Sequence, residues 1–213
     1  MKQILVAVDF SESAANAMQY ALELAKVLNR EVCAIHAIHP TEGINNSTYN
    51  AIFIEDYYNN KRLALKTWTA KFTEQKAYKN ISVVSICNVG FLKTVIKNYA
   101  KQHQVELLVM GITGATGISG IVGSNASAVV SNLKLPTLFI PLESKFLSVP
   151  IITLATDYET RLSAEDVNAL NEMMKALKSD KMQVLYVEEK PGSRHLETHE
   201  DKLKELIKAA GLE

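Results

Sequence analysis

The amino-acid sequence predicts an α/β fold: a doubly wound parallel sheet of five strands, followed by a partial second copy of the same unit. Three observations predict it. Apolar runs of strand length alternate with amphipathic helical stretches over residues 1–140, as in parallel sheets with helices on both faces. Distinctive residues, an aspartate and a glycine, follow the first and fourth strands, where such sheets bind ligands. The segment after Lys145 then repeats the opening pattern.

The first elements follow from local pattern. Gln3–Val8 is a continuous apolar run, which is typical of a strand buried on both faces. Ser11-Glu12-Ser13 offers capping hydroxyls for a helix that we expect to end near Asn29. The later predicted elements are, in order, a strand at Val32–Ile38, a helix at about 49–76, a strand at Ile81–Cys87, a helix after Gly90, a strand at Val105–Met110, a glycine-rich stretch at 111–123, a helix from about Ser124 and a strand at Pro136–Ile140.

The last third of the chain resembles its beginning. Ile152–Tyr158 can be laid on Ile4–Phe10, with matching isoleucine, alanine and aspartate residues and an aromatic residue next. A helix at about 164–177, a strand at Met182–Val187 and a helix at about 197–210 complete the segment. We therefore expect two domains, 1–147 and 148–213, of which the second is half of a repeat. Two strands and two helices bury too little surface to be stable alone, so this half should pack on residues 1–147 or on a partner chain.

Composition excludes several classes of protein. Lys plus Arg and Asp plus Glu each number 23, and a chain without basic surplus is a poor nucleic-acid or anionic-membrane binder. Neither a signal-peptide pattern nor an apolar stretch of about 18 residues is found, so we expect a cytoplasmic protein. Cys33 and Cys87 lie in strand-like runs and are predicted to be small buried residues that form no disulfide.

The glycine-rich stretch is the strongest chemical signal. Five of the nine glycines lie at every third position from 111 to 123: Gly111, Gly114, Gly117, Gly120 and Gly123. Glycine lets backbone N–H groups approach an anion, and Ser124-Asn125 would open a helix whose N-terminus favours negative charge. The pattern predicts a phosphate cradle, with a flexible loop as the alternative. It is no P-loop, because no Lys-Ser/Thr pair follows the glycines.

Several segments together resemble the universal stress protein family. Ile4–Glu12 resembles the family's first strand, and Leu107–Gly114 resembles its fourth strand and glycine turn. Gly123–Ala126 and Leu135–Pro141 resemble the helix start and the last strand. The resemblance covers about residues 1–142, and tandem repeats also occur in the family.

The resemblance implies an ATP site, with Mg²⁺ as a candidate additional partner. Asp9 would lie near the adenosine moiety, Ala7 and Val8 would precede it, and Ala37 would offer backbone atoms to adenine. The implied phosphate contacts are Gly111, Gly114, Gly123 and Ser124, with Met110 packed beneath and Asn125 nearby. The family's domains commonly dimerise through the last strand, so a homodimer or an internal pseudo-dimer is also implied.

Two departures from the family pattern leave alternatives open. Eight residues, 115–122, stand where the family's ATP-binding branch has nine, and Ala115 stands where an arginine is often found. Our prediction is a non-catalytic stress-response regulator that binds ATP. The alternative is a dimerising stress-response scaffold that has lost nucleotide binding, and a slow ATPase or phosphotransferase is a third hypothesis.

Histidines in the sequence do not predict a catalytic or metal site. His195 and His199 are four residues apart and would share one face of a helix, but no third ligand is evident and the zinc-protease pattern is not met. His36 lies near the expected adenine site and is predicted to be packed or hydrogen-bonded. We expect no metal, no catalytic residues, and no nucleic-acid or membrane partner.

Overall fold

A computed structural model of the chain describes residues 2–42, 51–112, 133, 135–155, 163–179 and 181–185, together with residues 201 and 208. The chain divides into two compact units, Met1–Phe146 and Leu147–Glu213. Among the described helices, none combines the length and the apolar character that a membrane crossing requires.

Strands and helices alternate in the first unit. They are β1 (Gln3–Ala7), α1 (Glu12–Leu28), β2 (Glu31–Ile38), α2 (Ala51–Thr73), β3 (Val83–Val89), α3 (Leu92–Gln102), β4 (Val105–Ile112) and β5 (Thr137–Pro141). The strands form one parallel sheet in the order β3-β2-β1-β4-β5, so the direction of winding reverses between β1 and β4. This confirms the predicted doubly wound, five-stranded parallel sheet.

β1 lies at the centre of the sheet and is buried on both faces. On one face, Leu5 belongs to a cluster with Ile35 of β2 and Leu108 of β4, which packs against α3. The other face lies against α1, whose buried residues include Ala17, Met18, Ala21 and Leu22. Full burial of a leucine side chain stabilises a fold by about 1.5–3 kcal/mol, so the apolar run of β1 accounts for its central place.

Local capping sets both ends of α1, and of the predicted capping segment 11–13 it is Ser11 that forms the N-cap. The Ser11 hydroxyl accepts a hydrogen bond from the Ala14 N–H at 3.1 Å, which is the N-cap interaction. Asn29 adopts the left-handed conformation that ends the helix, with φ of 53°. Farther along α1, the Asn16 side-chain amide donates to the carbonyls of Pro141 and Ser144 at 2.9 and 3.0 Å and so ties the chain after β5 to this helix.

Four predicted boundaries were wrong by two residues or more: the end of α2, both ends of β3 and the end of β4. α2 ends at Thr73, and a 3₁₀ turn at Lys76–Tyr78 follows, since the Tyr78 side chain is buried with its hydroxyl on Glu23 at 2.8 Å. β3 therefore begins at Val83, two residues after the predicted start at Ile81. Cys87 lies inside β3, paired with His36, while Cys33 pairs with Val84; both cysteines are buried and free.

The fourth wrong boundary is the end of β4, which continues to Ile112. Gly111 is thus a strand residue paired with Ile140 of β5 rather than the first residue of a loop. A Cβ atom at Gly111 would collide with the Ser13 carbonyl group and lie 2.8 Å from the Ala14 nitrogen. Only glycine lets the first turn of α1 lie this close to β4.

The second unit contains β6 (Ile152–Ala155), α4 (Ala164–Ala176) and β7 (Met182–Leu185), and β6 pairs in parallel with β7. Ser163 and Asp166 form a capping box at the start of α4. The predicted motif at 156–158, the end of the strand at 186–187 and most of the helix at 197–210 lie outside the described residues. That this unit is half of a repeat stays a prediction.

The close contact of Gly111 with α1 should make the free energy of unfolding sensitive to substitution at this position. We expect Gly111→Ala to lower the free energy of unfolding by about 1–3 kcal/mol, because the added methyl group must displace the backbone of α1. Urea denaturation would measure the loss. Asn88→Ala on the exposed edge strand β3 is the control and should stay within about 0.5 kcal/mol of the unsubstituted protein.

The two units should differ in independent stability. In the second unit, large apolar side chains stay exposed, Ile151 by 67% and Leu185 by 52%, and a two-stranded sheet alone is marginal in water. We expect a fragment of residues 1–146 to unfold cooperatively in urea, and a fragment of 147–213 to show no cooperative transition as a monomer. A sharp monomeric transition of the second fragment would contradict this.

Candidate functional site

The candidate site lies at the carboxyl edge of the sheet, where the winding direction reverses. Register places its parts: Ala7 of β1 pairs with Ile35 of β2 and with Met110 of β4. The structure brings six predicted site residues to this edge: Ala7, Val8, Asp9, Ala37, Met110 and Gly111. The four others, Gly114, Gly123, Ser124 and Asn125, lie outside the described residues and stay predictions.

Asp9 opens the turn between β1 and α1 and is exposed. Its Oδ1 accepts hydrogen bonds from the Ser11 backbone N–H at 2.9 Å and from the Ser11 hydroxyl. Ser11 is also the N-cap of α1, so the carboxylate is fixed to the start of that helix. Among the described residues, no hydrogen bond reaches Asp9 Oδ2, which leaves this oxygen available to a ligand donor.

Aromatic rings cover the other side of this turn. The Phe10 ring lies 4.7 Å from the His36 ring and 6.2 Å from that of Trp68 on α2, centroid to centroid. His36 is 7% exposed, and its Nδ1 lies 2.7 Å from the Val8 carbonyl oxygen. His36 is therefore packed and hydrogen-bonded, as predicted. Phe10 itself adopts a left-handed conformation with φ of 67°, which turns the chain away from the sheet.

The predicted residues of β4 have packing roles. Met110 is buried in the core cluster that faces α3. Gly111 lies against the backbone of Ser13 and Ala14 in the first turn of α1. Asp9 and Gly111 are thus held by the same helical turn, one through the Ser11 hydroxyl and the other through direct contact. Ligand contact at Met110 and Gly111 stays a prediction.

A polar cluster fixes the chain after β2. Glu42 accepts hydrogen bonds from the His39 N–H at 3.0 Å and from the Tyr57 hydroxyl at 2.9 Å, and it pairs with Lys61 at 3.3 Å. The His39 backbone contact and then the Tyr57 and Lys61 contacts, against desolvation, lower the pKa of Glu42. Desolvation opposes the charged form of Lys61, but Tyr57 and Glu42 outweigh it and raise its pKa.

Lys61 places a positive charge near the ends of β2 and β3. Burial raises the pKa of the Cys87 thiol, and the positive charges of Arg62 and Lys61 oppose this rise only in part. Burial likewise raises the pKa of Cys33 to about 11, so both thiols stay protonated at neutral pH.

Among the described residues, no three His, Cys, Asp or Glu side chains lie together as metal ligands would, and His195 and His199 fall outside those residues.

The sequence of the first unit matches a known family. The family model described as the Universal stress protein family matches residues 1–141, about two thirds of the chain. The chain belongs to the universal stress protein family. The resemblance in its first and fourth strands is thereby confirmed, and the protein is a member of a family of stress proteins.

Individual members of the universal stress protein family show the extent of the similarity. Universal stress protein YxiE from Bacillus subtilis (strain 168) is 30% identical over 137 residues, which are 62% of this chain and 92% of that protein. Universal stress protein MJ0531 from Methanocaldococcus jannaschii is 28% identical over 147 residues, 68% of this chain and 84% of that protein. A solved structure, a universal stress protein from Archaeoglobus fulgidus DSM 4304, has a TM-score of 0.72 at 18% identity, over 99% of this chain and 75% of its own, and shows the same fold.

Sequence reasoning missed some residues near the candidate site of this universal stress protein. Tyr57 and Lys61 lie on a helix that shows no local motif, and only the folded chain brings them to Glu42. Trp68 was the more detectable residue, since it is the single tryptophan of the chain and lies in a predicted helix. The contact of the α1 backbone with Gly111 joins positions about a hundred residues apart, and no local pattern indicates it.

The Glu42 cluster should make stability depend on pH. Because the folded carboxyl has a lowered pKa, its contribution is present above the ordinary value of 4.5 and is lost as the pH falls through the folded value. Since the Glu42 side chain is 36% exposed, we expect Glu42→Gln to cost only about 0.5–1 kcal/mol at neutral pH.

Urea denaturation at about pH 7 and about pH 3.5 would measure this dependence, and the difference between the two proteins should shrink at the lower pH. Glu74→Gln, at an exposed position after α2, is the matched control and should change stability little at either pH. An unchanged Glu42→Gln penalty at both pH values would contradict the assignment.

Proposed function

We propose that the first unit binds an adenine nucleotide, ATP, at the carboxyl ends of β1, β2 and β4, and that the protein is a cytoplasmic stress-response regulator that does not turn the nucleotide over efficiently. One observation carries the proposal. Asp9 stands exposed at the reversal point of the sheet, with one carboxylate oxygen fixed by Ser11 and the other available.

The position of Asp9 suits a sugar. Parallel sheets leave a crevice where neighbouring connections diverge to opposite faces, and β1 and β4 are the strands at that point. The available Oδ2 of Asp9 can accept a hydrogen bond from a hydroxyl group, and ribose offers a pair of adjacent hydroxyl groups. Since Ser11 holds Oδ1, the side chain is oriented before a ligand arrives, and less entropy is lost on binding.

The proposed contacts of the base and of the phosphates are set relative to Asp9. Ala37 at the end of β2 would meet adenine, and the chain leaving β4 would meet the phosphates through the proposed contacts of Gly114, Gly123, Ser124 and Asn125. These four residues lie outside the described residues and support the proposal only through their sequence pattern. Mg²⁺ is a further proposed partner of the phosphates.

The described chemistry favours binding over turnover. A hydrolase would need a base aimed at an attacking water molecule. Of the imidazoles near this edge, His36 is buried with its Nδ1 on a backbone carbonyl, and His39 has its Nδ1 2.8 Å from the Thr41 hydroxyl. Asp9 Oδ1 is occupied by Ser11, and Oδ2 is the oxygen proposed above to meet the sugar. The proposed activity is therefore to sense or store the nucleotide.

A second candidate function rests on β5. This strand is at the edge of the sheet, and its Thr137, Leu138 and Phe139 are half-buried, so it could pair with β5 of a second copy. The protein would then be a dimerising scaffold without a nucleotide. Light scattering would report the mass: a dimer in a protein that binds no ATP favours the scaffold.

Calorimetric titration with ATP and Mg²⁺ tests the main proposal. We expect binding by the unsubstituted protein and a loss of about 10- to 100-fold in affinity for Asp9→Asn, which removes a charge-assisted contact. The asparagine oxygen can still accept from the Ser11 N–H, so the turn should persist. Asp9→Ala should bind no more tightly than Asp9→Asn.

Glu12→Gln is the matched control, because it removes a carboxylate from the first turn of the same helix. Its affinity for ATP should stay within about twofold of the unsubstituted protein. If millimolar ATP produces neither heat in the titration nor a thermal shift, the nucleotide assignment is overturned.

A further inference from the structure

β1 and β2 stop pairing at Val8. The last regular hydrogen bond of this ladder runs from the Val8 N–H to the Ile35 carbonyl at 2.9 Å. A parallel ladder would continue with a hydrogen bond from the Ala37 N–H to the Val8 carbonyl. No backbone hydrogen bond joins these two groups, both of which belong to the described part of the chain.

The imidazole of His36 meets the Val8 carbonyl instead, with Nδ1 at 2.7 Å. Because a carbonyl oxygen only accepts hydrogen bonds, this ring nitrogen must carry the proton. The ring is 7% exposed and is covered by Phe10, so water does not compete well for the contact. The His36 side chain therefore takes the place of the Ala37 backbone N–H as the donor to the Val8 carbonyl.

This replacement leaves backbone groups of Ala37 at the sheet edge. The Ile35 carbonyl faces β1, and residues two apart in a strand point their backbone groups the same way, so the Ala37 N–H and carbonyl also face the β1 side. Phe10, which would supply the following rung, is turned away by its left-handed conformation. Ala37 is half-buried, within reach of a ligand at this edge.

We propose that His36 is a positioning residue that ends the β1–β2 ladder and thereby keeps the Ala37 N–H and carbonyl open for the edge of a nitrogen heterocycle. The ligand edge must carry a neighbouring acceptor and donor, as the ring nitrogen and exocyclic amine of adenine do. This inference rests on the proposed nucleotide site, and it assigns the recognition of the base to a side chain that does not touch the ligand.

Three substitutions separate the roles of the ring. His36→Leu removes both nitrogens. His36→Asn keeps an N–H donor at the place of Nδ1, and His36→Gln puts its amide at the place of Nε2. If His36 acts through the Val8 carbonyl, His36→Asn should behave like the unsubstituted protein, and His36→Leu and His36→Gln should behave like each other.

Amide hydrogen exchange tests the ladder without any nucleotide. We expect the Ala37 amide to exchange about tenfold or more faster than the Ile35 amide in the unsubstituted protein and in His36→Asn. In His36→Leu and His36→Gln the Val8 carbonyl is released, the rung closes, and Ala37 exchange should slow by about tenfold. Ala37 exchange that is slow from the start, or equal in all four proteins, would overturn the inference.

Nitrogen chemical shifts of the His36 ring supply an independent reading of the same contact. The expected tautomer carries its proton on Nδ1, and a ring protonated only on Nε2 would contradict the hydrogen bond to Val8. This measurement needs only the unsubstituted full chain, so it decides the matter even where a substitution prevents folding.

Binding completes the test. We expect His36→Leu and His36→Gln to lose about three- to tenfold in affinity for ATP and for adenosine, with His36→Asn within about twofold of the unsubstituted protein. Equal ATP affinity in all four proteins would overturn the positioning role. If the unsubstituted protein binds no ATP, the proposed function fails, whereas the exchange and nitrogen-shift results still decide what His36 does to the ladder.

Discussion

The first turn of α1 is the contact on which the candidate site depends. Its cap, Ser11, holds the Asp9 carboxylate, and its backbone at Ser13 and Ala14 lies directly against Gly111 of β4. The first turn of α1 therefore fixes the end of β1 relative to the end of β4. A side chain at position 111 would move the helix, and with it the aspartate, so a glycine that looks like part of a loop in the sequence sets the spacing of the site.

Local and non-local causes divide what the sequence could predict. The apolar run of β1 and the caps of α1 act on their own neighbours, so the strand, a cap within 11–13 and a helix end near Asn29 could be predicted from the sequence. The meeting of strand ends followed from the general geometry of parallel sheets. The extension of β4 through Gly111 did not, because pairing with Ile140 and the approach of α1 decide it. β3 begins later than predicted for the same kind of reason, because the buried Tyr78 bonds to Glu23, a residue far away in the sequence.

The candidate site shows the same division at finer scale. Asp9 could be selected because a carboxylate directly after a buried strand is visible in the sequence. His36 was recognised as a packed residue, but its partner is the Val8 carbonyl on the neighbouring strand, and a sequence does not reveal a side chain that competes with a backbone donor. Membership of the universal stress protein family is consistent with the fold of the first unit, and the contact of His36 with the Val8 carbonyl was found only in the structure.

The tie from Asn16 to the Pro141 and Ser144 carbonyls has a mechanical consequence. An edge strand such as β5, pulled from its free end, would separate from β4 one rung at a time, which takes little force. The two amide hydrogen bonds, together with the Tyr20 ring edge-on to Phe146 at 5.2 Å, fasten the segment after β5 to the middle of α1. Tension on the chain beyond residue 146 would therefore load these contacts with α1 before it loads the hydrogen bonds between β5 and β4.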